Sequence, residues 1–455
     1  MQGGHFFFFI FKVVIGFLFG EDLSQLEHFS FVRPVRTYSF PKIPTTFGLR
    51  MKILVFLAVA AVLLGSAFAC STALFQGKSG VDTVPLSFYR KGSYTLPHRI
   101  DSIPILFDNR LPVCTAFIAG KPYRFLIDTG ALTVVSEELY EELGLSPSYR
   151  AYFSDIDNQS RLTTYTVLPE IHIGRTTFQN IGAAVLTLSE PLSCFYDGII
   201  GANLMAKLHW QFDYHEHMAV VSEQWSAVEL PEPEHIWPFT TNNQKTPFVK
   251  GSLLQRQGPF MFDTGASFGV NVSNHYDFYK SAVDSNSFIT KTGIQSFGIY
   301  GPGKASKSFV MKTDIVIGGD TLADRIVNGG AKALIGNDFL KDYRFAINWS
   351  EQTIHLKAQK SAAPQEAKLL EGFGYSAYII DGKVRVVGLI EEAHLPLSLG
   401  DEILRVNETD YSTALTDRIC DFIGVQTAPE ASEVHLTVVR DADTLHFPLK
   451  KQVIP

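Results

Sequence analysis

The chain has 455 residues, more than one compact domain usually takes, and about 100–200 residues per domain predicts two to four domains. Hydrophobic residues make up 46% and charged residues 19%, which excludes a mainly disordered chain. The formal net charge is −7 with no basic block, so bulk charge argues against nucleic acid and acidic membrane surfaces as partners.

The front of the chain reads as targeting. Met51-Lys52 opens a short basic stretch, Ile53 to Leu64 is an apolar run, and Gly65-Ser66-Ala67-Phe68-Ala69 supplies small residues before Cys70. That layout predicts a secretory signal peptide over residues 51–69, with an apolar run too short to span a bilayer comfortably. Such a segment belongs at an N-terminus, so Met51 is expected as the true start and residues 1–50 as a mis-called extension. The Phe-rich stretch Phe6–Phe19, interrupted by Lys12, is the competing anchor. Ala67-Phe68-Ala69 suits ordinary cleavage; in a bacterial lipoprotein Cys70 would instead carry a lipid anchor to the membrane. On either route the mature chain is exported, to the periplasm, the outer membrane or the cell surface.

Past a leading segment (residues 70–105), an internal repeat organises the middle. FLIDTGA at Phe125–Ala131 returns as FMFDTGA at Phe260–Ala266, which sets Asp128 and Asp263 135 residues apart. The same offset links Pro112 to Pro247, Gly201 to Gly336, and Asp213-Tyr214 to Asn348-Trp349. One DTGA in a chain this long has a chance of under about 1% at average usage. Two at matched positions inside a wider repeat are not accidental. As a lone tetrapeptide it would read as a turn in which Asp bonds its own backbone.

The local pattern predicts a β-rich unit. Val113–Ile118 and Tyr123–Ile127 flank Gly120-Lys121-Pro122 as hairpin strands. Ser136–Leu143 begins with a capping Ser and an acidic first turn, which predicts a short helix. Leu168–Ile173 and Ala183–Leu188 are further strands. The first unit is placed at residues 106–228 and the second at residues 246–358. A Pro/Glu-rich linker (229–245) separates them, and a second linker (359–370) follows.

Cleaving a peptide bond without a metal or a covalent nucleophile needs an activated water and a proton donor. Two carboxyls about 3 Å apart supply both, because like charges that close cannot both ionise. Such a site takes one Asp from each of two similar halves meeting at a pseudo-twofold axis. On FLIDTGA, DGIIGANL, FMFDTGA and LIGNDFL the chain resembles the aspartic protease superfamily, and more narrowly the bacterial two-lobed relatives of retropepsins, from Leu111 to about Leu356. The resemblance implies two β-barrel lobes with Asp128 and Asp263 as the catalytic pair. It implies that Thr129 and Thr264 interlock the loops and that Gly130 and Gly265 let the backbone approach the pair. Ile200-Gly201 and Ile335-Gly336 would pack across the loops, and Ser154–Thr164 is the candidate flap. Ala131 and Ala266 follow each DTG, the retropepsin choice, where pepsins place Ser or Thr. Losing that hydroxyl removes a hydrogen bond to the ionised form, so activity is expected at mildly acidic to near-neutral pH. Tyr152 and Tyr165 flank the flap segment, and neither takes the pepsin flap-tip position by sequence.

Residues 371–455 change in character. Gly372-Phe373-Gly374-Tyr375, a turn at Asp381-Gly382, a short proline-bearing helical region and the run LGDEIL resemble a PDZ domain from Glu371 to about Lys451. The resemblance implies that Gly372, Phe373, Gly374 and Tyr375 form a carboxylate-binding loop. Physically, successive backbone N–H groups there make a nest for a terminal carboxylate, and the next strand adds a peptide strand. A glycine turn between strands is the plainer alternative for GFGY alone.

Other signals point less far. His215-Glu216-His217 sits where the repeat predicts a turn and lacks a third metal ligand. Asp155 and Asp157 resemble a calcium turn without the full loop. Cys70, Cys114, Cys194 and Cys420 contain no CxxC and are too few for a disulfide scaffold; Cys114 and Cys194 fall in one unit, and their spacing does not decide whether they pair. The expected whole is a mainly β, exported aspartic endopeptidase with a C-terminal PDZ domain, a peptide or protein substrate, no metal or organic cofactor, and a monomeric state. The alternative from another class is a peptide-binding protein or envelope scaffold that holds ligands without cutting.

Overall fold

The computed structural model describes residues 81–108, 110–188, 192–283, 288–359, 370–412 and 431–454. They all lie in one compact unit, Ser79–Pro455. The expected leader, Cys70, Cys420 and residues 360–369 of the second linker lie outside the described residues. The architecture is mainly β.

In the first repeat, Leu111–Ile118 and Lys121–Asp128 form a hairpin closed by Ala119 and Gly120, both left-handed at φ 50° and 78°. Cys114, Ala116 and Ile118 alternate inward, as period-two patterning requires. Lys121–Asp128 then pairs in parallel with Gly198–Gly201, so that Asp128 lies opposite Gly201 at the end of the strand. Val134–Ser136 lies against the same strand on its other edge. The helix Glu137–Glu142 starts where Ser136 accepts the Leu139 N–H at 3.1 Å, with Glu137 and Glu138 in its first turn. A long meander follows: Pro147–Ser154, Ser160–Ile173 and Thr176–Leu186.

The second repeat follows the same order. Pro247–Leu253 and Arg256–Phe262 form its hairpin, Val270–Ser273 follows, and Leu334–Ile335 pairs in parallel with Met261-Phe262. Short helices close both motifs, at Ala202–Met205 and Asn337–Leu340.

The repeats share one antiparallel sheet. Its centre is His209–Asp213 against Tyr343–Asn348, with Phe212 opposite Phe345. Outward lie Met218–Ser222 and Asp101–Asp108 on one side, and Thr353–Ala358 and His235–Thr241 on the other. Phe212 and Phe345 are stacked at 4.9 Å and fully buried with Trp210 and Trp237. Each such ring contributes about 2–3 kcal/mol by burial, so this seam is what makes one body of two repeats.

Two expected boundaries shift. The linker expected at 229–245 holds the strand His235–Thr241, because Trp237 and Phe239 alternate into the core behind a Pro/Glu-rich surface. The leading segment expected at 70–105 likewise contains Ser93–Thr95, paired with Thr177–Gln179, and the start of Asp101–Asp108.

The C-terminal module has its own core around Phe373, Val384, Val386, Ile403, Leu436 and Val438. Tyr375–Ile380 turns at Asp381-Gly382 into Lys383–Ile390, and Glu402–Val406 pairs with Glu433–Arg440. The proline-bearing region before LGDEIL is one short turn of 3-10 helix, Glu391–Ala393.

Candidate active site

Each DTG follows a parallel-paired strand end, and the two loops cross. The Thr129 N–H donates to Thr264 Oγ1 and the Thr264 N–H donates to Thr129 Oγ1, both at 3.0 Å. Each hydroxyl in turn donates into the opposite repeat: Thr129 to the Phe262 carbonyl at 2.6 Å, Thr264 to the Ile127 carbonyl at 2.8 Å. Both threonines are fully buried. The result is a two-fold symmetric clasp that fixes the aspartates on either side of its axis.

The glycines permit this crossing. An ideal Cβ on Gly130 would stand 2.7 Å from Asp263 Cγ, and one on Gly265 would stand 2.2 Å from Asp128 Cγ. Any side chain there would push the carboxyls apart. The Gly130 N–H donates to Asp128 Oδ1 at 2.7 Å and the Gly265 N–H to Asp263 Oδ1 at 2.9 Å. The carboxyls lie within hydrogen-bonding reach of each other. Burial pushes both above the ordinary aspartate value, and the neighbouring Asp128 charge pushes Asp263 further. Such a pair titrates as a unit and shares one proton over a range of pH.

The Ile-Gly motifs support the loops from behind. Gly201 leaves no room for a Cβ, which would meet the Thr133 nitrogen at 2.2 Å; Gly336 faces the Phe268 carbonyl similarly at 2.4 Å. The Ala202 N–H donates to the Ala131 carbonyl and the Asn337 N–H to the Ala266 carbonyl, each at 2.8 Å. Ile200 and Ile335 are fully buried.

Sequence reasoning missed the two asparagines beside those glycines. Asn203 Oδ1 accepts from both the Thr133 N–H and hydroxyl at 2.8 Å, and Asn337 Nδ2 donates to the Thr264 carbonyl at 2.7 Å. Asn337 Oδ1 accepts from the buried Tyr214 hydroxyl at 2.8 Å. The signal was present in GAN and GN, but one residue out of the repeat's register.

The hairpin Pro147–Ser154/Ser160–Ile173 is the first flap, and its turn at 155–159 is tied by Asp155 Oδ1, which accepts from the N–H groups of Asp157 and Gln159 at 3.0 and 2.8 Å. The polar turn explains these aspartates. Phe288–Ile294 and Ala305–Ile317 form the corresponding hairpin of the second repeat, and the tips meet. Ser296 donates to Asp157, Gln159 Nε2 donates to the Pro302 carbonyl at 3.3 Å, and the Tyr300 hydroxyl donates to the Phe153 carbonyl at 3.2 Å. Arg161 lies over the Tyr300 ring at 4.6 Å. The flap-tip tyrosine therefore comes from the second repeat, whereas Tyr152 is exposed and Tyr165 donates to the Tyr152 carbonyl at 3.3 Å. The tips reach the carboxyls electrostatically: the Lys332 charge lowers both Asp157 and Asp263 against the burial that raises them.

Cys114 is a free thiol, buried and pushed up to about 12 by that burial. Cys194 is disulfide-bonded, so the two do not pair with each other. His215–His217 form the turn after His209–Asp213, and the described residues contain no group of three or more His, Cys, Asp or Glu that could hold a metal ion. Gly372-Phe373-Gly374-Tyr375 leads into Tyr375–Ile380, with Phe373 buried and Gly374 left-handed at φ 76°.

Residues 114–204 match the family model described as aspartyl protease. That span holds the first DTG loop, the first flap and the first Ile-Gly motif. No curated protein matches the chain.

Proposed function

We propose that this chain is an exported, two-lobed aspartic endopeptidase whose C-terminal PDZ domain recognises peptides. The observation that carries the reading is the crossed pair of DTG loops, which brings two raised carboxyls from opposite repeats into mutual reach. The family match over residues 114–204 supports proteolysis in general.

The chemistry follows from the shared proton. With one carboxyl ionised, it takes a proton from a water held between the pair, and the water attacks the peptide carbonyl. The neutral carboxyl donates to the developing oxyanion. After collapse the leaving nitrogen receives a proton from the pair, so protons balance without metal or organic cofactor. The Gly130 and Gly265 N–H groups bond one oxygen of each carboxyl and orient the other toward the substrate. Raised values place activity at mildly acidic to near-neutral pH rather than near pH 2. Export is supported by the signal-like segment 51–69 and by the disulfide at Cys194, which suits an oxidising compartment. At the PDZ domain, the edge of Tyr375–Ile380 away from Lys383–Ile390 offers backbone groups to an added strand.

The test is cleavage of an unbiased peptide mixture by residues 71–455 at pH 3–8, beside Asp128→Asn and Asp263→Asn. Cutting that either substitution abolishes establishes the dyad. No cutting by a folded wild-type chain transfers the weight to peptide binding without hydrolysis.

A further inference from the structure

The outer strand of each flap is held by chain outside the duplicated core. In the first repeat the holder is the segment before the first strands: the Asp82 N–H donates to the Arg150 carbonyl at 2.6 Å, and the Arg150 N–H donates to Asp82 Oδ2 at 2.7 Å. In the second repeat the holder is the C-terminal module. Its strand Lys383–Ile390 pairs antiparallel with the flap strand, setting Ile390 opposite Lys291, Leu389 opposite Thr292 and Gly388 opposite Gly293.

Where that strand ends, side chains continue the ladder. Both oxygens of Glu392 accept from the Thr290 N–H, at 2.9 and 3.0 Å. Glu391 Oε1 accepts from the Thr292 hydroxyl at 2.8 Å and pairs with Lys307 Nζ at 3.0 Å. Gly293 sits at φ 133°, and a Cβ there would lie 2.1 Å from the Val387 carbonyl, so this close approach needs glycine. At the hairpin tip Phe297 stacks on Tyr378 of the module, 3.8 Å between ring centres. Tyr378 also acts on the catalytic floor: after burial, its charge and that of Asp128 are what raise the Tyr196 hydroxyl.

We propose that the C-terminal module supplies the outer strand of the second flap, and that Glu391 and Glu392 are positioning residues for peptide cleavage, holding that flap closed over the dyad. The inference rests on the proteolytic reading above. An unheld flap edge presents free N–H groups and frays, whereas charge-assisted acceptance of the Thr290 N–H fixes it. A flap that closes on substrate without taking part in proton transfer contributes uniform binding, so its loss raises KM and spares kcat.

The experiment uses the full chain with the double variant Glu391→Ala/Glu392→Ala, the conservative pair Glu391→Gln/Glu392→Gln, and Lys383→Met as a control. Lys383 pairs with Glu402 at 2.7 Å within the module and does not touch the flap strand. Expected is a KM raised about tenfold in the alanine variant with kcat within about threefold, most of the rise recovered by the glutamine pair. Hydrogen exchange should show residues 288–294 losing protection while residues 434–449 keep theirs. An unchanged KM with 288–294 deprotected overturns the proposal, as does an equal effect of Lys383→Met. If the wild-type chain cuts nothing, the proteolytic reading fails by itself; unchanged protection at Thr290 in the alanine variant would then overturn the latch separately.

Discussion

Replacing Thr264 with Val tests the clasp with little change of shape. The side chain is fully buried, so valine leaves no cavity but removes one donor and one acceptor. The Ile127 carbonyl loses its 2.8 Å donor, and the Thr129 N–H loses its 3.0 Å acceptor. A buried group left without its partner costs about 1–3 kcal/mol, and two such groups give about 2–4 kcal/mol at the lower end of that range. At roughly 2–4 °C per kcal/mol for repeats of this size, the melting temperature should fall by roughly 5–15 °C. Thr264→Ser keeps both bonds and loses only a methyl, about 1 kcal/mol. The assay is thermal unfolding at fixed pH, with a urea midpoint as a check. By symmetry Thr129→Val should match, since its hydroxyl donates to Phe262 and accepts from Thr264. A Thr264→Val chain that melts within about 2 °C of wild type, or a Ser variant as damaged as the Val variant, would refute the reasoning.

Other consequences can be measured alongside. Both dyad carboxyls are raised in the folded chain, so it binds more protons than the unfolded one above the ordinary value of 3.8, and stability falls as pH rises through that window. Asp263→Asn removes this titration; its urea midpoint should gain on wild type between pH 4 and 8, and parallel curves would count against a buried pair. Gly265→Ala places a Cβ where Asp128 Cγ lies 2.2 Å away, and displacing the carboxyl by about 1 Å should lower kcat about a hundredfold; near-normal turnover would show that the loops can relax. Tyr300→Phe loses the bond to the Phe153 carbonyl, worth about 0.5–1.5 kcal/mol, and should raise KM about threefold to tenfold; no change in KM would mean the tips part freely. Cys114, buried with its thiol pushed up to about 12, should resist maleimide at pH 8 in the native chain and react in urea, as read by peptide mass; native labelling would contradict its burial.

What the sequence made legible is whatever the repeat conserves at constant spacing. The hairpin, the DTG loop, the Ile-Gly strand and the short helix recur 135 residues on because each must close on the other around one axis. The spacing breaks at the flaps: Thr176 and Asp320 begin corresponding strands 144 residues apart. The difference comes from the longer tip around 295–304, whose job is to meet the first flap, so internal comparison could not find Tyr300 there. Asn203 and Asn337 escaped because they serve equivalent loops from positions one residue out of step. The strand at His235–Thr241 was hidden because its exposed face carries the Pro and polar residues that normally mark a linker. Tertiary burial of Trp237 and Phe239 decided its state, and no local propensity reports that.

Duplication within one chain frees the two halves to differ. The clasp needs symmetry, because each threonine must satisfy a carbonyl of the other repeat. The flaps do not, because each touches a different neighbour. Here one outer flap strand is tied to Asp82 near the front of the described chain and the other to a module at its end. In a homodimer of identical halves, any tether added to one flap would be added to both. A fused pair can hold the first flap with a local segment and entrust the second to a separately folded module with its own core. That core gives the second flap a fixed point that does not depend on the strength of its own hairpin. It also ties Phe297 and Tyr378 together at the rim of the cleft, so a change in the module's packing is felt by the flap before it is felt by the carboxyls.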